Sequence, residues 1–229
     1  ILSKEKIEKE QTVMNKTRRI ALYIYLVLAG IGLQFELGSM AEKEVTLEAG
    51  RDLVLNLAVL AAFFLPFYFL IKKLAKKLSV ETIVLGTALF GGAFISGWLS
   101  FAGNSLIDII NSNFIKDPAV FNDWTNALTA PFAEEFFKSL TAFAALYILG
   151  RKDIQSVLIA GLSSGFGFQV IEDIAYVSRV TFGGEYSGSL EAVGRIAGGL
   201  ASHTLFTACL LYPSPSHRDG LLSRMPSSA

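Results

Sequence analysis

The sequence predicts an all-α fold, a polytopic integral membrane bundle of about six transmembrane helices. Hydrophobic residues make up 52% of the 229 residues and charged residues only 17%, which is more apolar than a typical soluble domain. The charges are concentrated in short stretches with long apolar runs between them, as in membrane proteins. Six of these runs approach the roughly 20 residues that a spanning α-helix needs. The predicted spans are residues 20–35, 53–71, 83–101, 124–149, 154–177 and 190–212.

The first three spans have few polar residues in their interiors. Pro66 is expected to kink the second span, which ends in a lysine-rich stretch at residues 72–77. Small residues in the third span permit close packing against a neighbouring helix. Residues 104–123 are predicted to be a polar stretch at the membrane surface, with a short interfacial helix over residues 106–110.

The chain is therefore predicted to have four parts. Residues 1–19 form a charged N-terminal segment, residues 20–123 contain the first three spans and an outer loop, and residues 124–212 contain the last three spans. Residues 213–229 are rich in Pro and Ser, and we expect a disordered tail that is truncated or atypical.

Basic residues predict the orientation and the surroundings of the chain. Lys and Arg are concentrated in the N-terminal segment, at residues 72–77 and at residues 151–152, so both termini are predicted to be cytoplasmic. The formal net charge is zero, so no global basic field favours nucleic acid, and no nucleic-acid partner is expected. The lysine clusters lie at the ends of apolar segments, where the lipid bilayer supplies head groups as partners.

Two acids and a base interrupt the fourth span, at Glu134, Glu135 and Lys138. A carboxylate in the bilayer centre costs roughly 2.5 kcal/mol or more on insertion scales, so it needs a protein or water environment. Lys138 follows both glutamates by one helical turn and can pair with them. Two interpretations stay open: the helix begins near Pro131 and the glutamates mark its interfacial start, or one carboxylate serves as a general base or acid.

In the fifth span, small residues, a carboxylate and a phenol share one helical stripe. The spacings of three and four place them on a single face. The stripe consists of Gly161, Gly165, Phe168, Glu172 and Tyr176. The glycines favour close helix packing, and Glu172 is either part of a buried site or a residue near the outer interface beside Arg179.

The sixth span has a similar stripe of Arg195, Gly199, His203 and Thr207. A single membrane histidine is often hydrogen-bonded to a neighbouring helix, which is one interpretation of His203. The other is that three successive spans each place a polar group toward the outer half of the membrane. We therefore expect Glu134 or Glu135, Glu172 and His203 to meet in one polar cavity.

At these residues the chain resembles the PrsW family of intramembrane proteases, which are distant relatives of the CAAX-prenyl endopeptidases and of bacteriocin-processing membrane proteases. In the CAAX-type relatives the second motif contains a histidine where this chain has Glu172, which favours the PrsW branch. The matching pieces are Glu134-Glu135-x-x-Lys138, Gly165-Phe166-Gly167-Phe168 followed by Glu172-x-x-x-Tyr176, and Arg195 followed by His203-Thr204-x-Phe206-Thr207-Ala208.

The resemblance implies an endopeptidase in a bacterial or archaeal cell membrane that cleaves single-span membrane proteins, such as anti-sigma factors in site-1 cleavage. It implies that the catalytic residues are Glu134, Glu135, Glu172 and His203, with a glutamate activating water. Lys138, Tyr176, Arg195 and Thr207 are expected to support them. No cofactor is certain, but zinc is conceivable, with His203 and Glu172 as its ligands, although one histidine among carboxylates is a poor zinc set.

Two other functions fit the same residues. Intramembrane carboxylates and a histidine also mark the pathways of proton- or ion-coupled transporters. An inactive membrane scaffold could use the same groove to hold a partner helix. The Pro- and Ser-rich tail departs from the family pattern after Ala208, which keeps the scaffold interpretation open.

Overall fold

The computed structural model describes residues 15–41, 46–183, 188–199 and 202–211, which are helical almost throughout and contain no strand. The predicted all-α fold is confirmed over these residues. The helices are α1 Lys16–Ala41, α2 Leu47–Lys77, α3 Thr82–Gly91, a π-helical segment Gly92–Ser96, α4 Gly97–Phe114, α5 Pro118–Leu149, α6 Ile154–Gly183, α7 Gly188–Gly199 and α8 Ser202–Leu211.

Four of these helical stretches are long and apolar enough to cross a membrane. Helix α5 is 32 residues long but has three charged side chains in its apolar half, and α7 and α8 are short. The count of six spans and the cytoplasmic placement of both termini stay predictions. The four stretches are Lys16–Gly38, Leu47–Lys77, Thr82–Phe114 and Ile154–Gly183.

The boundaries predicted for the third and fourth spans differ from those in the structure. Helix α4 continues to Phe114, so the short interfacial helix predicted over residues 106–110 is wrong as a separate element. Polar residues suggested a loop, but Ser105 donates to the Phe101 carbonyl and Asn113 to the Ile109 carbonyl. Side chains that bond to their own helix in this way let a polar sequence stay helical. Helix α5 likewise begins at Pro118, six residues before the predicted start of the fourth span.

Pro66 lies inside α2, which begins with Thr46 as its N-cap. The Thr46 hydroxyl accepts a hydrogen bond from the Ala49 N–H at 3.1 Å. Residues 1–14 of the predicted charged segment 1–19, the predicted tail 213–229 and the loop between α6 and α7 lie outside the described residues. Residues 16–19 of the charged segment form the first turn of α1.

Helix α6 lies at the centre of the bundle and packs against α2, α3, α5, α7 and α8. Glycines allow its neighbours to approach at backbone distance. A Cβ atom at Gly165 would overlap the backbone carbonyl of His203, and one at Gly92 would overlap the carbonyl of Ser164. These contacts fix α8 and the π-helical segment against opposite sides of α6.

Helices α7 and α8 both run antiparallel to α6, and the pairing of facing residues continues in step from one helix to the other. Gly161 faces Ala208, Gly165 faces Thr204 and Gly199 faces Gln169. The side chains that α7 and α8 direct toward α6 therefore meet it in sequence order, from Arg195 to Thr207.

The basic loops gather at one end of the bundle. Arg151, which follows α5, pairs with Glu81 at the start of α3. The Arg18 guanidinium of α1 lies beside Gly150, whose φ of +70° ends α5 in the left-handed region. The prediction that both termini are cytoplasmic rests on the basic residues of this end.

Candidate active site

Helix α5 brings two carboxylates and an ammonium group into the bundle. Because α5 begins at Pro118, Pro131 lies inside the helix, and the interpretation of Glu134 and Glu135 as an interfacial helix start is wrong. Adjacent residues of an α-helix point about 100° apart. Glu134 accordingly faces a cavity, whereas Glu135 faces α8.

Lys138 is fully buried and holds this cluster together. Its Nζ lies 2.7 Å from Glu135 Oε1, 3.5 Å from Glu134 Oε2 and 2.7 Å from His203 Nδ1. The ammonium also lies 4.2 Å from the centre of the Phe168 ring. An ammonium group has three N–H donors, and these three acceptors use all of them.

The contact with Lys138 assigns the tautomer of His203. An ammonium group can only donate, so Nδ1 accepts and the ring proton of neutral His203 is on Nε2. Nε2 lies 3.3 Å from Glu172 Oε2. His203 therefore connects the α5 cluster to the carboxylate of α6, and its backbone position is set by the close contact with Gly165.

Thr207 ties down the second glutamate of α5. Its hydroxyl donates to Glu135 Oε2 at 2.8 Å, while Lys138 binds the other carboxylate oxygen. Both oxygens of Glu135 are thus engaged by fixed protein donors. Glu134 has only the longer contact with Lys138 and a 3.8 Å approach to His203.

Arg195 anchors the far side of the site. Its guanidinium pairs with Glu172 and, at 2.6 Å, with Asp173. Tyr176 stacks beneath it, with the Arg195 guanidinium carbon 4.3 Å from the ring centre. Arg179 packs over the same ring at 4.6 Å. The polar and aromatic members of the two predicted stripes therefore all belong to this cluster: Phe168, Glu172 and Tyr176 on α6, Arg195 on α7, and His203 and Thr207 on α8.

A cavity of about 990 Å³ opens beside these groups. Glu134 and Glu172 line it, together with Phe168, Tyr176 and Arg179. The wall opposite α6 is built by the last turns of α1 and by α4. The structure therefore brings together all four residues that the sequence singled out as catalytic, and two of their carboxylates face open space.

Four further residues of this region were not predicted from the sequence. Asp173 directly follows Glu172 inside an apolar span. An ionisable residue in such a span indicates a functional site, so Asp173 could have been predicted. The predicted first span ends at residue 35, but Glu36 lies buried on α1 and lines the cavity. Ser100 and Asn104 of α4 also line it. Their part in the site depends on helix ends and on the register between helices, which local sequence does not specify.

Comparison with protein families agrees with this geometry. Residues 79–213 match the model of a family described as PrsW family intramembrane metalloprotease. The chain belongs to the PrsW family. It is an integral membrane protein and an intramembrane protease, and the transporter and scaffold alternatives are not favoured. Comparison with curated proteins gave no match, and neither did comparison with solved structures.

The description of the PrsW family includes a metal, and the donor set of this chain fits one. Glu134, Glu172 and His203 each offer a ligand atom, all within 4.8 Å of one another. Three protein ligands with an open position are typical of a catalytic zinc site. Among the described residues, the ion pairs of Glu134, Glu135, Glu172 and Asp173 involve two permanently charged cations, Lys138 and Arg195, and this excess of carboxylates favours a dication. The sequence had indicated only His203 and Glu172 as ligands.

Proposed function

We propose that this PrsW protein hydrolyses a peptide bond of a single-span membrane protein, with Glu134 as the general base that activates water. One observation carries the choice of Glu134: its carboxylate faces the cavity, whereas both oxygens of Glu135 are bound by Lys138 and Thr207. A base needs a free lone pair within reach of the water proton. Glu134 presents its carboxylate to the cavity, whereas the carboxylate of Glu135 is turned toward α8 and already accepts hydrogen bonds from Lys138 and Thr207.

The reaction then follows from the positions of the side chains. Glu134 takes a proton from water while the water oxygen attacks the carbonyl carbon of the substrate. The negative charge that develops on the carbonyl oxygen is stabilised by a donor such as the Nε2–H of His203. When the C–N bond breaks, the leaving amine receives the proton back from Glu134 or through His203, so one water is consumed for each bond cleaved.

The remaining residues hold these groups in place. Lys138 keeps Glu134 and Glu135 apart and orients the His203 ring through Nδ1. Arg195 and Tyr176 orient Glu172, which accepts from His203 Nε2. Pre-organised groups of this kind do not have to reorient during the reaction, which is how they lower its barrier. If zinc is bound, Glu134, Glu172 and His203 would hold it and it would make the bound water more acidic. Glu134 would then be a ligand and not the base, and the ring proton of His203 would have to leave Nε2.

The place of the cavity supports cleavage on the extracytoplasmic side. It is lined by the C-terminal parts of α1 and α6 and by the first two turns of α4, whereas the basic loops lie at the N-terminal ends of α1 and α6. The two features are at opposite ends of the bundle. A site in the outer half of the membrane suits site-1 cleavage of an anti-sigma-factor-like substrate in a bacterial or archaeal cell membrane.

The experiment is single-turnover cleavage of candidate single-span substrates by the purified protein in lipid vesicles. Glu134→Gln keeps the shape of the side chain but lacks its basicity, and loss of a general base costs about a hundredfold to ten-thousandfold in rate. The variant should still insert and purify normally. A chelator arm followed by zinc addition tests the metal separately. Wild-type-like cleavage by Glu134→Gln would show that the base is another group, with Glu135 the next candidate.

Reporter fusions test the orientation independently of activity. Fusions at Ser79 and Arg151 should report the cytoplasm, and a fusion at Asn113 should report the outside. Fusions near Met40 and Gly184 should agree with Asn113, and one at the C-terminus with Ser79. An outside signal at Arg151 would contradict the proposed orientation.

A further inference from the structure

Two polar side chains of α4 face the cavity without being used by the protein. Ser100 and Asn104 both line it, together with Glu134 and Glu172. Ser100 is 2% exposed, and neither its Oγ nor Asn104 Oδ1 has a hydrogen-bond partner within the described part of the chain. Leaving a buried polar atom unpaired costs about 1–3 kcal/mol. A pair of such atoms in one cavity therefore needs an explanation.

Other polar side chains of the same helix are satisfied. Ser105 donates to the Phe101 carbonyl at 2.9 Å, and Asn113 donates to the Ile109 carbonyl at 2.9 Å. Ser96, the last residue of the π-helical segment that precedes α4, lies one turn before Ser100 and bonds to the Thr141 hydroxyl at 3.0 Å. The unpaired atoms are thus not a general property of α4 but belong to the two positions that face the cavity.

The packing of α4 against α5 places these side chains level with the reactive groups. The bond from Ser96 to Thr141 fixes one point of the antiparallel register. A second point is Gly103, where a Cβ atom would lie 2.8 Å from the Phe137 ring and 3.4 Å from Ala133 Cβ. Counting along the helices from these two contacts, Ser100 lies at about the same height in the bundle as Lys138. Asn104 lies at about the same height as Glu134.

The spacing of the two side chains matches an extended peptide. Residues four apart on an α-helix are separated by about 6 Å along its axis. Backbone groups on the same side of an extended strand repeat every two residues, or about 6.6 Å. When side-chain rotation turns Asn104 Oδ1 and Ser100 Oγ from the wall into the cavity, the two atoms can therefore accept hydrogen bonds from two N–H groups of one strand that point the same way.

A protease that acts on a membrane-spanning segment needs such acceptors. The backbone of a spanning helix satisfies its own polar groups, and the peptide bond becomes accessible only where the helix is unwound. Each freed N–H group then needs a new partner, because unpaired backbone in an apolar setting costs several kcal/mol. Acceptors beside Glu134 would stabilise the unwound form where cleavage takes place.

We propose that Ser100 and Asn104 bind the extended backbone of the substrate beside the scissile bond, through N–H groups two residues apart. The proposal rests on the proposed function, since it assigns the substrate subsite of the same cavity. Both residues are positioning residues, because they act on the substrate and not on the attacking water.

The test measures substrate affinity and cleavage separately. In the Glu134→Gln background, where the substrate stays intact, adding Ser100→Ala or Asn104→Leu should each raise Kd about threefold to tenfold, the value of one hydrogen bond. With Glu134 restored, kcat/KM should fall by the same factor. Ser105→Ala and Asn113→Leu are matched controls on the same helix and should leave Kd and kcat/KM unchanged.

Backbone-ester substrates distinguish contact from structural damage. In each, one amide N–H near the cleaved bond is replaced by an ester oxygen. Two positions, two residues apart, should raise Kd for Glu134→Gln, and one of these penalties should disappear when Ser100→Ala or Asn104→Leu is added. The same variants should melt at an unchanged or higher temperature in detergent, because they remove an unpaired polar atom.

The outcomes separate this proposal from the proposed function. If Glu134→Gln abolishes cleavage while the α4 variants bind and cleave like the parent protein, the backbone subsite is refuted and the base assignment stands. Ester penalties that persist unchanged in every α4 variant would also refute the subsite. If Glu134→Gln cleaves normally but the ester penalties vanish in the α4 variants, the subsite stands and the base assignment fails.

Discussion

The two halves of the bundle are built in opposite ways. In the packed half, around α6 residues 154–167, Gly92 and Gly167 bring α3 and the π-helical segment to backbone distance, and Gly165 does the same for α8. In the cavity half, around α6 residues 168–183, large and polar side chains hold the helices apart around a space of about 990 Å³. The same central helix therefore serves as a packing core at one end and as a cavity wall at the other.

This difference explains how a polar site can be held in place inside a membrane protein. Helices in lipid gain little from hydrophobic burial against one another and associate through close packing and polar contacts. The packed half supplies the close packing, and it ends at His203, whose carbonyl contacts Gly165. The cavity half can then expose Glu134 and Glu172 to water without losing the geometry of the cluster.

The largest effect is expected where the two halves meet, at Lys138. Its removal leaves Glu135 buried against Thr207 without a countercharge, and breaking one partner of a buried ion pair costs about 3–5 kcal/mol. Lys138→Ala should therefore lower the melting temperature in detergent and abolish cleavage. Lys76→Ala, an exposed lysine at the end of α2, is the matched control and should do neither.

A Lys138→Ala protein as stable as the parent would mean that Glu135 is neutral in the folded protein. Lys138→Met, which restores volume without charge, sharpens the test. If it recovers stability but not cleavage, the lysine acts through its charge on Glu134 and His203. If it recovers both, the contribution of Lys138 is packing alone.

The glycine contacts of the packed half provide the next effect. A Cβ atom at Gly167 would overlap the Leu89 carbonyl, and overpacking of this kind typically costs about 1–3 kcal/mol. Gly167→Ala should lower the melting temperature and, by shifting α6, reduce cleavage. Gly86→Ala is the matched control, because nothing lies within 4 Å of its Cβ position. There the better helix propensity of alanine should leave stability equal or higher.

An unaffected Gly167→Ala protein would contradict the description of that half as packed at backbone distance. The outcome for activity adds information, since Gly167 lies one residue from Phe168, whose ring contacts both Lys138 and His203. Loss of cleavage at unchanged stability would show that a shift of α6 in the packed half moves the residues of the site.

The sequence predicted the parts of the site that depend on one helix at a time. Helical spacing places Lys138 one turn after Glu135 and puts His203 and Thr207 on one face, so these groupings could be inferred without a structure. Asp173 was missed because it points about 100° away from Glu172, toward Arg195, and local spacing does not show what lies there. Sequence alone could suggest the residues of a helix face but not their partners.

The parts that depend on helix ends and register could not be inferred. Asn104 follows a glycine and begins a run of Asn, Ser and Asp residues, which favours a loop on local propensity alone. The run stays helical because side chains bond to carbonyls of the same helix, so Asn104 faces the cavity. The predicted first span ends at residue 35, yet α1 continues to Ala41, so Glu36 is helical and reaches the cavity. The residues that form the cavity wall could therefore not be predicted, because the predicted helix ends were wrong by a few residues.

The smallest effect is expected at the end of the packed half that carries the basic loops, where Asp153 caps α6. Its Oδ1 accepts a hydrogen bond from the Ser156 N–H at 2.8 Å. Burial opposes the charged form, but the hydrogen bonds with Ser156 outweigh it and lower the pKa of Asp153 below the ordinary value of 3.8. A lowered pKa stabilises the folded protein above that value, and the contribution is lost as the pH falls through the folded-state pKa.

Asp153→Ala should accordingly cost about 1 kcal/mol near neutral pH, the usual value of an N-cap, and the difference from the parent should shrink below about pH 4. The measurement is the melting temperature of both proteins in detergent across this pH range, with Lys152→Ala as the neighbouring control. Cleavage at neutral pH should be unchanged, because the cap lies at the end of α6 farthest from the cavity. A difference in melting temperature that stays constant to pH 3 would show that the cap does not act through its charge. A loss of cleavage without a loss of stability would instead mean that a change at one end of α6 reaches the other end. The packed half and the cavity half could then not be treated as separate parts of the bundle.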